Sequence, residues 1–244
     1  MVKSMAIMLY ETNFYVHAID TDLKDKLRPA SVLSYFQDAA SVHAEELGVG
    51  YHDLLNMDLY WVILYEEFEI LENIEWGDIV RTRTWPKSRT RLEFEREYEL
   101  RNDSDKLLAK GISTWCVINT KTRKLERGDS VIFNGEYYDY TNYPEKLNRK
   151  MKFQITEPDM TYDYKVLYTD LDHNLHLNNA KYLDVLYNMH ANDKRVKKVR
   201  ISFVNEAHVG EVIHILYKHT EEGDLYIGLV GANTCFMAVL ETEE

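Results

Sequence analysis

T-D-L-D-H-N-L-H-L-N-N-A, residues 169–180, has a counterpart in I-D-T-D-L-K-D-K-L-R-P-A, residues 19–30. Asp170 and Asp172 follow Asp20 and Asp22 by 150 residues. The register persists on either side: Val16 meets Val166, Ala30 meets Ala180, Leu33 meets Leu183 and Phe36 meets Leu186. A second register, of 133 residues, aligns Gly77-Asp78-Ile79-Val80 with Gly210-Glu211-Val212-Ile213. The first copy therefore holds 17 more residues between the two landmarks, around Gly48 to Trp61. Self-similarity at a long fixed offset marks a duplicated unit, so the chain reads as two copies of one fold.

Within each copy the pattern changes from alternating to helical and back. Asp172, Asn174 and His176 alternate, as on an extended segment that points them to one side. Tyr182, Leu183, Val185, Leu186 and Met189 then recur at helical spacing. In the first copy Leu33, Phe36, Ala40, His43 and Leu47 form the corresponding stripe, with Pro29 near its start and Gly48 past its end. Strand-like stretches follow. From Leu92 to Leu100, Leu92, Phe94, Arg96, Tyr98 and Leu100 face one way and Glu93, Glu95, Glu97 and Glu99 the other. Asn102-Asp103-Ser104-Asp105 is a turn into Leu107 to Val117, and Glu221-Glu222-Gly223-Asp224 joins Val212–His219 to Leu225–Val230. One long helix followed by a four-stranded antiparallel meander predicts an α+β unit with the helix packed on the sheet. The polar, Tyr-rich stretch from Glu126 to about Gln154 reads as a linker. It divides the chain into a first domain with linker, residues 1–150, and a second, residues 151–244.

The copies part company where chemistry would live. Lys24 stands for Asn174, Lys26 for His176, Arg28 for Asn178 and Asn73 for Glu206. A common scaffold accounts for the shared aspartates and apolar positions. It does not account for Asn174, His176 and Glu206, which the first copy does without. His and Glu suit general acid–base work because burial and neighbours tune either toward neutral pH; Asp and Asn suit orientation. Asn178 opens the second helix, where backbone N–H groups and the positive dipole end could meet a developing oxyanion. A plainer use exists: Asn178 or Asn179 can cap the helix, and His176 can sit in a satisfied hydrogen bond. No serine or cysteine nucleophile accompanies the set, since Ala207 follows Glu206 and Cys235 is distant. Activated water is then the natural nucleophile. His173, His176, Asp170, Asp172 and His208 offer metal ligands, but no zinc-ligand spacing is matched, so neither a metal nor a cofactor is expected.

Composition narrows the class. At 244 residues the chain can bury real cores, and its 45% hydrophobic content is that of an ordinary globular protein. A formal net charge of −12 argues against nucleic-acid affinity. Two basic clusters, Arg81, Arg83, Lys87, Arg89 and Arg91, then Lys194, Arg195, Lys197, Lys198 and Arg200, read as solvated strand edges or as a dock for an acidic partner. No apolar run is long enough for a membrane span, and the opening M-V-K-S-M-A-I-M-L-Y lacks a secretory pattern. Cys116 and Cys235 make no disulfide framework, and a reducing cytoplasm is expected.

At these residues the sequence resembles the acyl-acyl carrier protein thioesterases, whose motif D-x-N-x-H-V-N-N-x-K-Y is matched by Asp172, Asn174, His176, Leu177, Asn178, Asn179, Lys181 and Tyr182. Trp76-Gly77-Asp78 looks like the family's W-G-D, and Asn119-Thr120-Lys121-Thr122-Arg123-Lys124-Leu125 is similar to its N-x-x-T-R-R-L. The resemblance implies a tandem (double) hotdog fold and hydrolysis of fatty acyl thioesters on acyl carrier protein. It implies catalytic roles for Asp172, Asn174, His176 and Glu206, and an apolar acyl tunnel in the first domain, for which Trp61 is a weak candidate floor. The plant enzymes place a cysteine after that glutamate, where this chain has Ala207, so a cysteine-based mechanism is put in doubt. The expected partner is the acyl carrier protein with its fatty acyl chain, and a homodimer is allowed. Hydrolysis of acyl-CoA and non-catalytic acyl binding are the alternatives.

Overall fold

The computed structural model describes residues 6–87, 89–145, 147–189 and 194–243; the first five residues of the N-terminal reading lie outside them. The first copy begins with strand β1 (Tyr10–Tyr15) and helix α1 (Pro29–Glu46). A short helix α2 (Tyr51–Asn56) and strands β2 (Leu59–Ile70), β3 (Ile79–Pro86), β4 (Phe94–Arg101) and β5 (Leu107–Asn119) follow. The second copy has β6 (Met160–Lys165), α3 (Asn179–Met189), β7 (Arg195–Phe203), β8 (Val212–Thr220), β9 (Gly223–Val230) and β10 (Asn233–Glu243). The α+β pattern of a long helix on an antiparallel sheet is therefore present twice, but the expected four-stranded meander is three-stranded in each copy, β3-β4-β5 and β8-β9-β10, because the strand after the long helix, β2 or β7, pairs beyond the third of them at the seam between copies. The first unit adds to its one long helix the short α2, which is built from the 17-residue insertion.

The ten strands of the described residues form one antiparallel sheet in the order β1-β3-β4-β5-β2-β7-β10-β9-β8-β6. The two copies join where β2 pairs with β7, from Tyr65 opposite Ser202 to Glu69 opposite Lys198. The helices α1 and α3 lie side by side. Their apolar stripes reach one continuous core that includes Leu33, Phe36, Phe68 and Tyr98 from the first copy and Leu183, Leu186, Ile201 and Phe236 from the second. Phe36 stacks on Tyr98 at 4.7 Å. It also sits so close over β5 that a Cβ at Gly111 would lie 2.6 Å from its ring, so only glycine fits there. Each unit thus buries the helix stripe that its sequence periodicity marks.

The linker does more than connect. Glu97 and Glu99 alternate away from the helix, as expected, yet both are fully buried. The cause is residues 140–142, which cross the outer face of β3 and β4. Thr141 Oγ1 and the Asn142 N–H (2.7 Å) donate to Glu97, Asn142 Nδ2 donates to Glu99 Oε1 (2.9 Å), and Trp85 Nε1 donates to the Tyr140 carbonyl (3.1 Å). Lys87 and Arg101 complete the pairing of these carboxylates. A buried carboxylate without such partners would cost several kcal/mol, about the scale of an unpaired buried ion. No helix among the described residues is long and apolar enough to cross a membrane.

Candidate active site

The loop before α3 is shaped by its two aspartates. Asp170 is buried, and its Oδ2 accepts the Leu167 N–H and the Tyr164 hydroxyl, each at 2.8 Å. Asp172 Oδ1 accepts the N–H groups of Asn174 (2.8 Å) and His176 (3.2 Å), while the Asp172 N–H donates to the His176 carbonyl. Leu175 closes the turn in the left-handed region, at φ 65°. His176 is then held by a bridge to His208, the residue two beyond Glu206. Asn178 caps α3: its Oδ1 accepts the Ala180 N–H at 2.9 Å. The capping use foreseen for Asn178 is therefore present. The neighbouring Asn179 N–H has no partner among the described residues.

Three side chains from separate segments converge. His176 Nε2 lies 3.1 Å from Glu206 Oε2. The same oxygen accepts Arg123 Nη2, also at 3.1 Å. Arg123 comes from the first copy, in the turn after β5, at φ 56°. Asn119 Oδ1 builds that turn by accepting the N–H groups of Lys121 (3.0 Å) and Thr122 (2.9 Å), and the guanidinium packs over the Tyr60 ring at 5.5 Å. Burial holds the His176 imidazole below its ordinary pKa; Glu206 opposes this, while His208 and Arg123 add to it. The ring is thus neutral at neutral pH and can accept a proton.

Asn174, His176 and Glu206 border a cavity of about 1000 Å³. Asp172 and Asn178 also border it. Apolar side chains of the first copy, among them Leu54, Trp61, Ile63, Phe94 and Trp115, form much of its wall. Trp61 is fixed by donating Nε1 to the Val49 carbonyl (2.9 Å) and by an edge-on contact with Phe94 (4.9 Å). The insertion therefore supplies Leu54 on α2 and Trp61 as wall. The Asn174 side chain makes no hydrogen bond within the described residues, so its amide is available to whatever enters.

Sequence reasoning named Asp172, Asn174, His176 and Glu206, and the structure brings all four to one cavity. It assigned no role to Arg123 or Tyr60. Arg123 could have been found, since it sits in the N-x-x-T-R stretch that carries part of the resemblance. Of the metal-ligand candidates, Asp170 and Asp172 are taken by backbone N–H groups, and His173 packs against Tyr51. His176 and His208 do approach one another, with Glu206 between them. Cys116 and Cys235 are buried free thiols, and burial pushes Cys116 up to about 11.

Comparison with known proteins places this arrangement. Residues 8–132 match the acyl-ACP thioesterase N-terminal domain and residues 154–231 the acyl-ACP thioesterase C-terminal domain. The chain belongs to the acyl-ACP thioesterase family. Within the family, it is 22% identical to oleoyl-acyl carrier protein thioesterase 2 of Arabidopsis thaliana, covering 92% of this chain and 66% of the relative. It is 25% identical to the dodecanoyl-[acyl-carrier-protein] hydrolase of Cinnamomum camphora, over 72% of this chain and 50% of the relative. The chain thus spans between about half and two thirds of the length of such curated relatives. An acyl-ACP thioesterase from Bacteroides thetaiotaomicron superposes with a TM-score of 0.84 at 20% identity, covering 97% of this chain and 98% of that one. The 12:0-ACP thioesterase from Umbellularia californica gives 0.79 at 20%, covering 97% of each. These likenesses show the fold, the α+β tandem hotdog expected of the sequence.

Proposed function

We propose that this protein hydrolyses fatty acyl thioesters carried on acyl carrier protein, with water as nucleophile. The observation that carries the reading is the His176–Glu206 pair, 3.1 Å apart, at the edge of a cavity with many apolar residues in its wall. Water held by the pair attacks the thioester carbonyl carbon. Its proton passes to the pair, where an imidazolium beside the Glu206 carboxylate is stabilised. The C–S bond breaks, and the proton then goes to the leaving thiolate. Arg123 keeps Glu206 in position. Asp172 fixes the loop, and Asn174 orients the carbonyl or the water. The free Asn179 N–H at the start of α3, beside Asn178, faces the developing oxyanion with the positive end of the helix behind it. General-base help of this kind contributes about 10²–10⁴ in rate.

The carrier protein is the partner this reading implies, and the cytoplasm its setting. Most members of the two basic clusters are paired with carboxylates of this chain, as Arg83 is with Glu11 and Glu99, Lys198 with Glu67, and Arg200 with Glu241. They contribute little free positive charge for docking. The test uses purified protein with acyl carrier protein thioesters beside CoA thioesters of the same chain length. His176→Ala and Glu206→Gln should each lower kcat by two orders of magnitude or more, about the worth of a general base, with unchanged circular dichroism. Near wild-type turnover in both variants would refute the assignment, and faster CoA turnover would move the substrate from carrier protein to CoA.

A further inference from the structure

We infer that His176, Glu206 and His208 form a zinc site whose occupation shuts the hydrolytic centre down. The inference rests on the proposed role of the His176–Glu206 pair, but the site itself stands on separate geometry. Each of the three residues offers one ligand atom, and these atoms all lie within 4.8 Å of one another. Zinc held at ordinary Zn–N and Zn–O lengths sets tetrahedral ligands roughly 3.3 Å apart, so one pair is already in place and the rest closes by side-chain rotations of about 1–2 Å. Two imidazoles and one carboxylate are a donor set that zinc favours, with a position left for solvent.

The ligands are also held in advance. The backbones of His176 and His208 are bridged, their rings meet edge to face at 5.0 Å, and the His208 N–H donates to Glu211 Oε2 at 2.7 Å. His208 is exposed, which gives the ion a path in. The first copy has the same backbone bridge, between Lys26 and Glu75, and with Asn73 in place of Glu206 it offers no such set. The duplicated scaffold therefore does not require three ligands here. Arg123 is the local opponent, because it shares Glu206 Oε2. An ion on His176 and Glu206 takes the lone pairs that would receive the proton from water, so occupancy removes the general base on which the proposed hydrolysis depends.

The experiment titrates the metal-stripped protein with zinc alone, reading free zinc with a chromophoric chelator. The wild type should bind one zinc per chain. His208→Gln should weaken binding at least tenfold while keeping unliganded hydrolysis within about threefold, an effect at the scale of an exposed contact. His176→Gln should weaken binding as much, and Arg123→Met should tighten it. Wild-type binding no tighter than that of both histidine variants would overturn the site. Zinc bound at full occupancy with undiminished turnover would overturn the shutdown. If no thioester is cleaved under any condition, the hydrolase reading falls, and the chelator titration still decides the site.

Discussion

The loops at Asp20–Ala30 and Asp170–Ala180 share a backbone nearly bond for bond and share almost none of their outward chemistry. Both begin with a single 3₁₀ turn, Ala18–Asp20 and Tyr168–Asp170. In both, the first aspartate takes the N–H three residues before it and a tyrosine hydroxyl, from Tyr35 in one and Tyr164 in the other. In both, the second aspartate takes the N–H groups two and four residues on. Asp25 and Leu175 then occupy the left-handed region, at 60° and 65°. The difference lies in where the exposed edge goes. The first loop is tied to α3 of the other copy: Arg28 pairs with Asp184, and Tyr187 donates to Asp22 Oδ2 at 2.9 Å. Among the described residues the second loop has no ion pair or side-chain hydrogen bond of this kind to a helix of the other copy; it meets α2 through the His173–Tyr51 ring contact and lines the cavity with Asn174 and His176. One copy of the motif has become a clamp between helices and the other a site.

That division can be broken by changing one atom set in both loops. Asp172→Ala removes two hydrogen bonds that place Asn174 and His176, and it should lower kcat/KM by a factor of about 10², as mispositioning of catalytic groups does. Asp22→Ala removes the equivalent bonds and the Tyr187 contact, so it should cost more stability, about 2–3 kcal/mol at roughly 1 kcal/mol per hydrogen bond. Its turnover should stay within threefold of wild type. Urea unfolding and steady-state kinetics on the two variants form a crossed test. If both lose activity alike, the first loop is part of the site and the division fails.

The same contrast explains how much could be read from the chain. The duplication, the helix stripes and the meanders all follow from side-chain periodicity, which is local and survives in one sequence. Four of the residues that border the cavity, Asp172, Asn174, His176 and Glu206, stood out because the first copy lacks three of them. What escaped were contacts made across distance. Burial of Glu97 depends on Asn142, which comes 45 residues later and belongs to a stretch read only as linker. The α2 helix is six residues long, too short to show a period. Arg123 reaches Glu206 across 83 residues, from one copy into the other. No internal comparison could flag it, because its value lies in a contact and not in a difference between copies.

Arg123 gives the next sharpening, with a smaller effect and a sign that can be worked out. It holds Glu206 by one charged hydrogen bond, and it also lowers the pKa of His176. The base must be neutral to act. In the wild type the acidic limb of kcat/KM should therefore lie below the ordinary histidine value of about 6.5. Arg123→Met removes a cation, so protonation of His176 becomes easier, and the limb should move to higher pH. Turnover on the plateau should fall about tenfold, the worth of roughly 1.4 kcal/mol. A limb that stays put, or moves to lower pH, would show that Arg123 acts on packing alone.

The smallest effect is expected at Cys235, and it bears on the same division because this thiol contacts α3 and the segment before Glu206, both in the second copy. Cys235 Sγ donates to the carbonyl of Asn205, the residue before Glu206, at 3.1 Å and sits 3.4 Å from the hydroxyl of Tyr182 in the first turn of α3. Its place could suggest a nucleophile. Burial instead pushes the thiol up, and a protonated, buried sulfur is a poor attacking group. Its hydrogen bond to Asn205, the residue before Glu206, is a packing contact that steadies the turn. Cys235→Ala should therefore cost about 1–2 kcal/mol of stability, at the scale of a small buried side chain with one weak bond, and change kcat/KM less than threefold. Thiol alkylation after unfolding, compared with alkylation of the native protein, should show the native sulfur unreactive. A loss of turnover comparable with that of His176→Ala would place a thiol in the mechanism and remove water as the nucleophile.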